Sequence, residues 1–492
     1  MSAAAPIAAR RRLAWAALFA LLFVASQALL WVAYYAHGAK PLIGDEQTYQ
    51  DGALAILDGG AWMPSTIWPP LQPLLLAVVY ALFGTQVVAA QVLQTLLFIA
   101  CAALLRDLWR RLGGSVAAAN SAAALFLLNP ATAAYAHWLW PEIPHLFLLL
   151  AALCLLARTP LRSRAFAAGA CIGLALLAKS LLSMFWPVFL LVFVRRARPR
   201  FLSQPAALFV LGLALVTMPA LVHGWRTYGT PMIADSSIYN LDVGLTDRWR
   251  SDYVQDLGGL TLPTFLASGA TPQQRNAVYL AKIRALVAER GVASLLADQF
   301  GRQYFRLFSA KTPLVSQLPG PACAGHLSVY RTRPWLTRTL TLANDLSHAL
   351  MLVAAAFGIA CWRWRGGPVD SVHAAGNTIP TQTVPSKGRV SEQRALRGAL
   401  LAVVVLFLAY QLGLMLLIHV KARFLLPMIP FLCGFGASFL VALRRRCDAI
   451  PDRASASTIV LAPLRLALGA ALAVLLLFLA FAGPALDHLC AG

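Results

Sequence analysis

The stretch from Leu13 to Gly52 reads LAWAALFALLFVASQALLWVAYYA (13–36), HGAKPLI (37–43) and GDEQTYQDG (44–52). The first part carries no charge and is long enough to cross a hydrocarbon core of about 30 Å as a helix. The last part is the densest polar run in the chain, and it follows the crossing directly. One apolar span that delivers an acidic run to the membrane surface sets the plan for everything after it.

Apolar runs of similar length recur near 86–105, 115–133, 141–157, 204–222, 341–361, 397–418, 424–443 and 464–482. The apolar stretch 165–194 is too long for one span and is interrupted by Lys179, Ser180 and Pro187, so it reads as a hairpin of two. With 13–36 the total is eleven. The whole chain agrees: 59% of its 492 residues are hydrophobic and 12% charged, and its mean hydropathy is +0.69. Segments this apolar need lipid as their solvent.

Lys and Arg orient the spans, because short cytoplasmic loops retain positive charge during insertion. Arg10 to Arg12, Arg106 with Arg110 and Arg111, Arg158 with Arg162 and Arg164, Arg195 to Arg200, the 363–397 segment and Arg444 to Arg446 all fall on one side. The other side's short loops hold Lys40, Lys421 and Arg423. The N-terminus is therefore expected in the cytoplasm and the C-terminus outside, with the first run kept as a signal anchor. The net charge of +22 reads as anchoring at the inner face. No basic stripe on a soluble domain points to nucleic acid as a partner.

Three segments leave the bilayer: an outer loop at 37–85, an outer region at 223–340 and an inner linker at 363–396. The expected organisation is an N-terminal membrane module (1–222) that includes the first loop, an outer lid (223–340), and C-terminal spans (341–492) that hold the linker as a disordered tether. In the lid, Gln273 to Glu289 has helical periodicity, with Val278, Ile283, Leu286 and Val287 as its apolar face. Eight cysteines show no metal-ligand spacing, and Cys101, Cys154, Cys171 and Cys433 lie inside predicted spans as packing residues. Cys323 and Cys490 both fall outside, where a disulfide is open to them. Of 19 acidic residues, 14 lie on the outer side, so carboxylate chemistry should face outward.

Gly44 permits a turn into a helix whose first residues, Asp45 and Glu46, lie at the positive end of its dipole. Tyr49 and Gly52 share the face of Asp45, and Ala53, Ile56 and Leu57 are free to rest on the bilayer. Read locally, Asp45 serves equally well as a helix cap. Past Trp62 and Trp68, the run 70–84 is short for a span and suits a helix lying in the interface. If it crossed, every later basic loop would invert.

The acidic pair, the interfacial helix, Pro69-Pro70-Leu71-Gln72-Pro73 and the Phe83-Gly84 ending resemble the first outer loop of GT-C glycosyltransferases. Within that superfamily they are similar to the branch of protein O-mannosyltransferases and lipid A aminoarabinose transferases. His137-Trp138-Leu139-Trp140-Pro141-Glu142 resembles the family's second outer acidic position, and Gly169 to Lys179 its Gly-rich span ending in Lys. The stretch from His223 to Pro231, with Asn240-Leu241 and Gly244, is similar to its Trp-x-x-Arg-Asn stretch, and Arg423 to Pro427 with Pro430 to its late Arg-Tyr-x-x-Pro-x-x-Pro motif. Thr227 stands where the family has Asn, and the lid has no family pattern, so the acceptor's identity is not carried over.

The resemblance implies an all-α polytopic membrane protein of GT-C type, with juxtamembrane helices in the first outer loop. It implies transfer of a sugar from a polyprenyl-phosphate-linked donor, with inversion, to a glycan, lipid or protein acceptor at the periplasmic face of a bacterial plasma membrane. An attacking hydroxyl needs a base within hydrogen-bond reach, and Asp45 is the candidate. Glu46 either orients the acceptor or positions Asp45. The departing phosphate gains charge, which cations stabilise; Arg423 is the first candidate, Lys421 and His419 the next. Lys179, an ionisable group at the hairpin turn, is a functional candidate that also reads as a snorkelling side chain. Arg226 contacts phosphate or pins a helix end, and Glu142 is a second acid or a cap. No cofactor is required in this branch, although Asp45, Glu46 and Glu142 would hold a divalent cation if they converged. The competing class is a transporter or lipid-sugar flippase, whose sites lie near the bilayer midplane between repeated halves. The outer-loop charges and lack of a repeat favour the enzyme.

Overall fold

A computed structural model describes residues 4–35, 38, 40–42, 44–158, 162–194, 204–246, 261–310, 332–362, 387–447 and 461–482. In chain order the helices are α1 (Ala4–Tyr35), α2 (Asp45–Leu57), α3 (Leu71–Phe83), α4 (Val87–Arg111), α5 (Val116–Leu127), α6 (Pro130–Ala134), α7 (Glu142–Leu156), α8 (Arg162–Ala178) and α9 (Gln204–Tyr228). They continue with α10 (Ser236–Thr246), α11 (Thr261–Ala267), α12 (Pro272–Arg290), α13 (Val292–Arg302), α14 (Pro334–Cys361), α15 (Lys387–Leu414), α16 (Ile429–Cys447) and α17 (Pro463–Leu477). No β-strand occurs among the described residues. Helices are what lipid demands, because only they satisfy every backbone N–H and C=O within the segment.

The protein is an all-helical, multi-pass membrane protein. Among the described residues, six helices are long and apolar enough to cross a membrane, or seven if α5 and the bent Pro130–His137 segment count as one broken span. The remaining apolar segments include α7 and α8, of 15 and 17 residues, and α16, of 19 residues ending in three arginines. Beyond α8 the chain returns through the 3₁₀ turns Ser180–Leu182 and Trp186–Phe193. Pro187 stands in the first turn of the second of these, a position that its missing N–H allows. Between α1 and α4, helices α2 and α3 have 13 residues each, about 20 Å of helix at 1.5 Å per residue. That is too short to span, as the interface reading of 70–84 requires.

Glycines set the closest helix contact. A Cβ at Gly169 of α8 would overlap the Phe209 carbonyl of α9, and one at Gly212 of α9 would overlap the Phe166 carbonyl of α8. The two backbones touch, in the manner of small-residue packing in membranes. The Gly-rich span thereby fixes the height of Lys179 at its end.

Charge separates to opposite ends of the bundle. At one end Asp107 accepts from Arg111 at 3.0 Å and Arg158 at 2.7 Å, and Arg106 donates to Asn120. At the other end gather Asp45, Glu142, Lys179 and Arg423. The loops expected on one side of the membrane do meet one another.

Three readings need correction. Ala53 is fully buried, because α2 turns Glu46, Tyr49, Gly52 and Ala53 into the protein and packs against α3. In α12 the buried face is Pro272, Arg275, Tyr279 and Ile283, while Val278 is exposed; the Arg275 ion pair to Asp235 sets that rotation. The last ten residues of the segment taken as a tether, 387–396, belong to helix α15, whose start is rich in the helix formers Glu392, Gln393, Arg394 and Leu396. The rest of that segment, and Cys323 and Cys490, lie outside the described residues.

The 235–275 region is stitched to the loop between α2 and α3. The Asp235 N–H donates to the Thr66 carbonyl at 2.6 Å, and Arg275 donates to Asp235 at 2.9 Å and to the Thr66 hydroxyl at 3.2 Å. Ile67 and Trp68 pack with Tyr239, Val243, Phe265 and Tyr279. Helices α10 and α13 also hold the loop before α16: Gln299 donates to the carbonyls of Met415 and Ile418, and the His419 N–H donates to the Asn240 carbonyl. Arg275→Met would strand the buried Asp235 carboxylate, at a cost of about 3–5 kcal/mol. Hydrogen exchange over 236–246 and 272–290 is expected to accelerate accordingly; unchanged protection would contradict the latch.

Candidate active site

Four regions far apart in sequence build one cluster: the start of α2, the start of α7, the end of α8, and the loop 415–428. Gly44 makes the first possible. Its φ of 61° and ψ of −127° lie in a region that essentially only glycine adopts, and the chain turns there into α2. Asp45 and Glu46 then diverge. Asp45 does not cap its helix; its Oδ2 accepts from Arg423 at 2.6 Å, and 24% of the side chain is exposed.

Glu46 is 0% exposed, as is the Lys40 side chain that grips it. Lys40 Nζ donates to both carboxylate oxygens, at 2.7 and 2.6 Å, and the Leu139 N–H donates to Oε1 at 3.0 Å. Of the two ways in which Glu46 was expected to act, direct orientation of an acceptor is therefore closed to it.

Arg423 is the centre of the cluster. It sits on the short turn Ala422–Leu425, which is moored by the buried Val420, Phe424, Leu425 and Leu426. It reaches Asp45 through one terminal nitrogen, and its Nε lies 3.6 Å from Glu142 Oε1. Its guanidinium rests on the Trp140 ring with 4.3 Å to the centroid, a cation–π geometry. Glu142 opens α7 without capping it and accepts from Lys179 Nζ at 2.9 Å. Lys179 in turn lies 4.7 Å from the Phe424 ring.

Electrostatics follow. Burial alone pushes the Asp45 carboxyl up, but Arg423 and then Lys421 more than offset it, and the group titrates below its ordinary value. Burial and then repulsion from Arg423 draw the half-buried Lys421 well below the usual ammonium range, against the pull of Asp45 and Glu142. Burial, then Lys421 and Arg423, keep His419 well below the imidazole value, so it is neutral at pH 7. The cluster thus combines one reachable carboxylate with cations brought from two other elements, the end of α8 and the loop 415–428.

Of the residues singled out from sequence, Asp45, Glu142, Lys179, Lys421 and Arg423 come together. Arg226 does not: it is exposed on the last turn of α9. Asp45, Glu46 and Glu142 do not converge as a metal cradle, since Glu46 faces Lys40 while the other two face Arg423. Among the described residues no three His, Cys, Asp or Glu side chains are placed to hold a metal ion. Sequence reading passed over Lys40, which counted only as a loop charge, and Gln72, Gln91 and Gln94. Two glutamines three residues apart within an apolar helix were the signal available.

Fold and cluster together define a polytopic membrane protein with a charged, partly open site at one end of its helix bundle. Residues 68–223 match the family model described as dolichyl-phosphate-mannose-protein mannosyltransferase. That segment is just under a third of the chain, and it carries the Pro-rich turn, the His137 to Glu142 strap and the Gly-rich span to Lys179. The match falls on motifs that carry the resemblance read from the sequence. No curated protein matches. Among solved structures, the archaeal oligosaccharyltransferase AglB from Archaeoglobus fulgidus, in complex with an inhibitory peptide and a dolichol-phosphate, aligns at a TM-score of 0.45 and 13% identity. The alignment covers 95% of this chain and 55% of AglB, so this chain spans little more than half of that protein's length. ArnT from Cupriavidus metallidurans aligns in the apo state at a TM-score of 0.38 and 17% identity, covering 87% of this chain and 77% of that one. Its undecaprenyl phosphate complex aligns at 0.36 and 18%, covering 89% and 79%.

Proposed function

We propose that this protein is a glycosyltransferase that moves a sugar from a polyprenyl-phosphate-linked donor to an acceptor hydroxyl at the outer face of a bacterial plasma membrane. The observation that carries the reading is the convergence of the reachable Asp45 carboxylate with Arg423, Lys179 and Lys421 at one end of the bundle.

The chemistry runs as one displacement. The acceptor hydroxyl attacks the anomeric carbon from the face opposite the phosphate, Asp45 takes its proton, and the bond from that carbon to the phosphate oxygen breaks, so the configuration inverts. Charge that develops on the departing phosphate meets Arg423, Lys179 and Lys421. Guanidinium geometry suits phosphate oxygens, and Lys421, drawn down by burial and Arg423, gains a reason to stay charged beside an anion. Arg226, exposed on the last turn of α9, is left to the donor's outer approach. Glu142 keeps Lys179 and Arg423 aligned. The donor class accords with the matched family's description, which names a dolichyl-phosphate sugar.

Sharing Arg423 has a kinetic consequence. In the free protein Asp45 is held down by Arg423; with donor bound, the phosphate competes for that guanidinium and the carboxyl rises toward its ordinary value of about 3.9. The base works ionised, so activity is lost as pH falls through its pKa. The acid limb of kcat, which reports the complex, is expected at higher pH than that of kcat/KM, which reports the free protein. Coincident limbs would contradict the shared role of Arg423.

The direct test supplies the purified chain with a panel of radiolabelled polyprenyl-phosphate sugars and envelope extracts as acceptor source. Label is expected to pass to an acceptor, at the same rate with EDTA present because side-chain cations carry the phosphate charge. Movement of intact lipid-sugar across vesicles without transfer would establish the flippase instead.

A further inference from the structure

Between the short turn Tyr135–His137 and α7, the backbone from Trp138 to Trp140 is not helical and is wholly buried. Non-helical backbone inside a membrane protein survives only where protein groups satisfy it. Here three successive carbonyls, from His137 to Leu139, each have a dedicated side chain. Gln91 donates to the His137 carbonyl at 2.8 Å, Gln94 to that of Trp138 at 2.6 Å, and Gln72 to that of Leu139 at 2.9 Å. The Leu139 N–H goes to Glu46. The strap is therefore nailed from α3, from α4 and from the first turn of α2, the turn that carries Asp45.

Its two tryptophans face the two charge pairs. Lys40 Nζ lies 4.4 Å from the Trp138 ring, whose Nε1–H donates to the Tyr34 hydroxyl, and Arg423 lies on Trp140. Glu46 is thus a joint: one oxygen sets the height of Leu139, its carboxylate is held by Lys40, and its neighbour in sequence is the candidate base.

We propose that Lys40 and Glu46 are positioning residues, a buried pair that locks the 138–140 strap to α2 and so fixes the Trp140 platform on which Arg423 meets Asp45. This rests on the transferase reading above. Neither residue touches substrate. Their work is to hold base and cation in register, where a displacement near 1 Å costs about a hundredfold in rate. What the strap needs from Glu46 is an acceptor for the Leu139 N–H, which a glutamine oxygen also provides. The negative charge is needed only to match Lys40.

The test is a cycle of Lys40→Met, Glu46→Gln and the double variant, read by transfer kinetics and by hydrogen exchange of a peptide covering 137–141. Each single variant leaves one buried charge unmatched and is expected to lose about a hundredfold in kcat with faster exchange at Leu139. The double variant is expected to recover to within about tenfold of the intact chain, with KM little changed and protection restored. A folded double variant as inactive as Glu46→Gln alone would mean that the carboxylate itself acts in the reaction, and would overturn the proposal. So would single variants that keep full activity. Gln94→Leu, which leaves both charges paired, guards against misfolding of the cycle: it should lower kcat and loosen 137–141, and no change in either would also overturn the strap's role. If the intact chain transfers no sugar, the exchange data still decide whether the pair locks the strap, separately from the enzyme reading.

Discussion

Arg423→Gln is expected to lower sugar transfer by a factor of about 10²–10³, the scale of losing one preorganised donor to developing charge. Three roles fall together in that side chain. It holds Asp45 at 2.6 Å, it lies 3.6 Å from Glu142, and in the proposed reaction it meets the departing phosphate. With glutamine there, Glu142 keeps only Lys179, and Asp45 loses the partner that holds its carboxyl low. Arg423→Lys should recover only part of the loss, because an ammonium cannot lie flat on Trp140 and fork between two carboxylates. Single-turnover transfer with saturating donor, beside the melting temperature in detergent, separates chemistry from folding. A lysine variant with full activity would mean that charge alone suffices and the stacked geometry is irrelevant.

Much of this arrangement was legible because it is written locally. Apolar length and loop basicity give the spans and their common sides, and Asp107, Arg111 and Arg158 do meet at one end while Asp45, Glu142, Lys179 and Arg423 meet at the other. Each residue of the charge cluster stands at the end of an apolar run, where a lone ionisable group draws notice. What escaped are partners that only the fold supplies. Gln91 and Gln94 look like blemishes in an apolar helix until the carbonyls of His137 and Trp138, more than forty residues on, come to rest against them. Lys40 lies six residues from Glu46, yet their meeting depends on the left-handed turn at Gly44. Arg275 finds Thr66 across 209 residues, which no periodicity foretells. Burial also chose between readings that sequence left level. Glu46 stood between orienting an acceptor and positioning Asp45, and its full burial against Lys40 closes the first. Ala53 and Val278 failed for a related reason, since an amphipathic pattern says that a face exists without saying which neighbour turns it.

Asp45→Asn is expected to reduce transfer by about 10²–10⁴, the usual worth of a positioned base, and to leave donor bound. The substitution keeps the size of the side chain and an oxygen that still accepts from Arg423, so the cation that meets the phosphate stays in place. It removes the one reachable carboxylate beside that cation. Of all measurements, single-turnover transfer by Asp45→Asn, run with polyprenyl-phosphate binding measured on the same preparation, bears most directly on the site. Bound donor without transfer is the predicted result. Transfer at the intact chain's rate would show that proton removal lies with another group and that the Asp45 to Arg423 pair is structural.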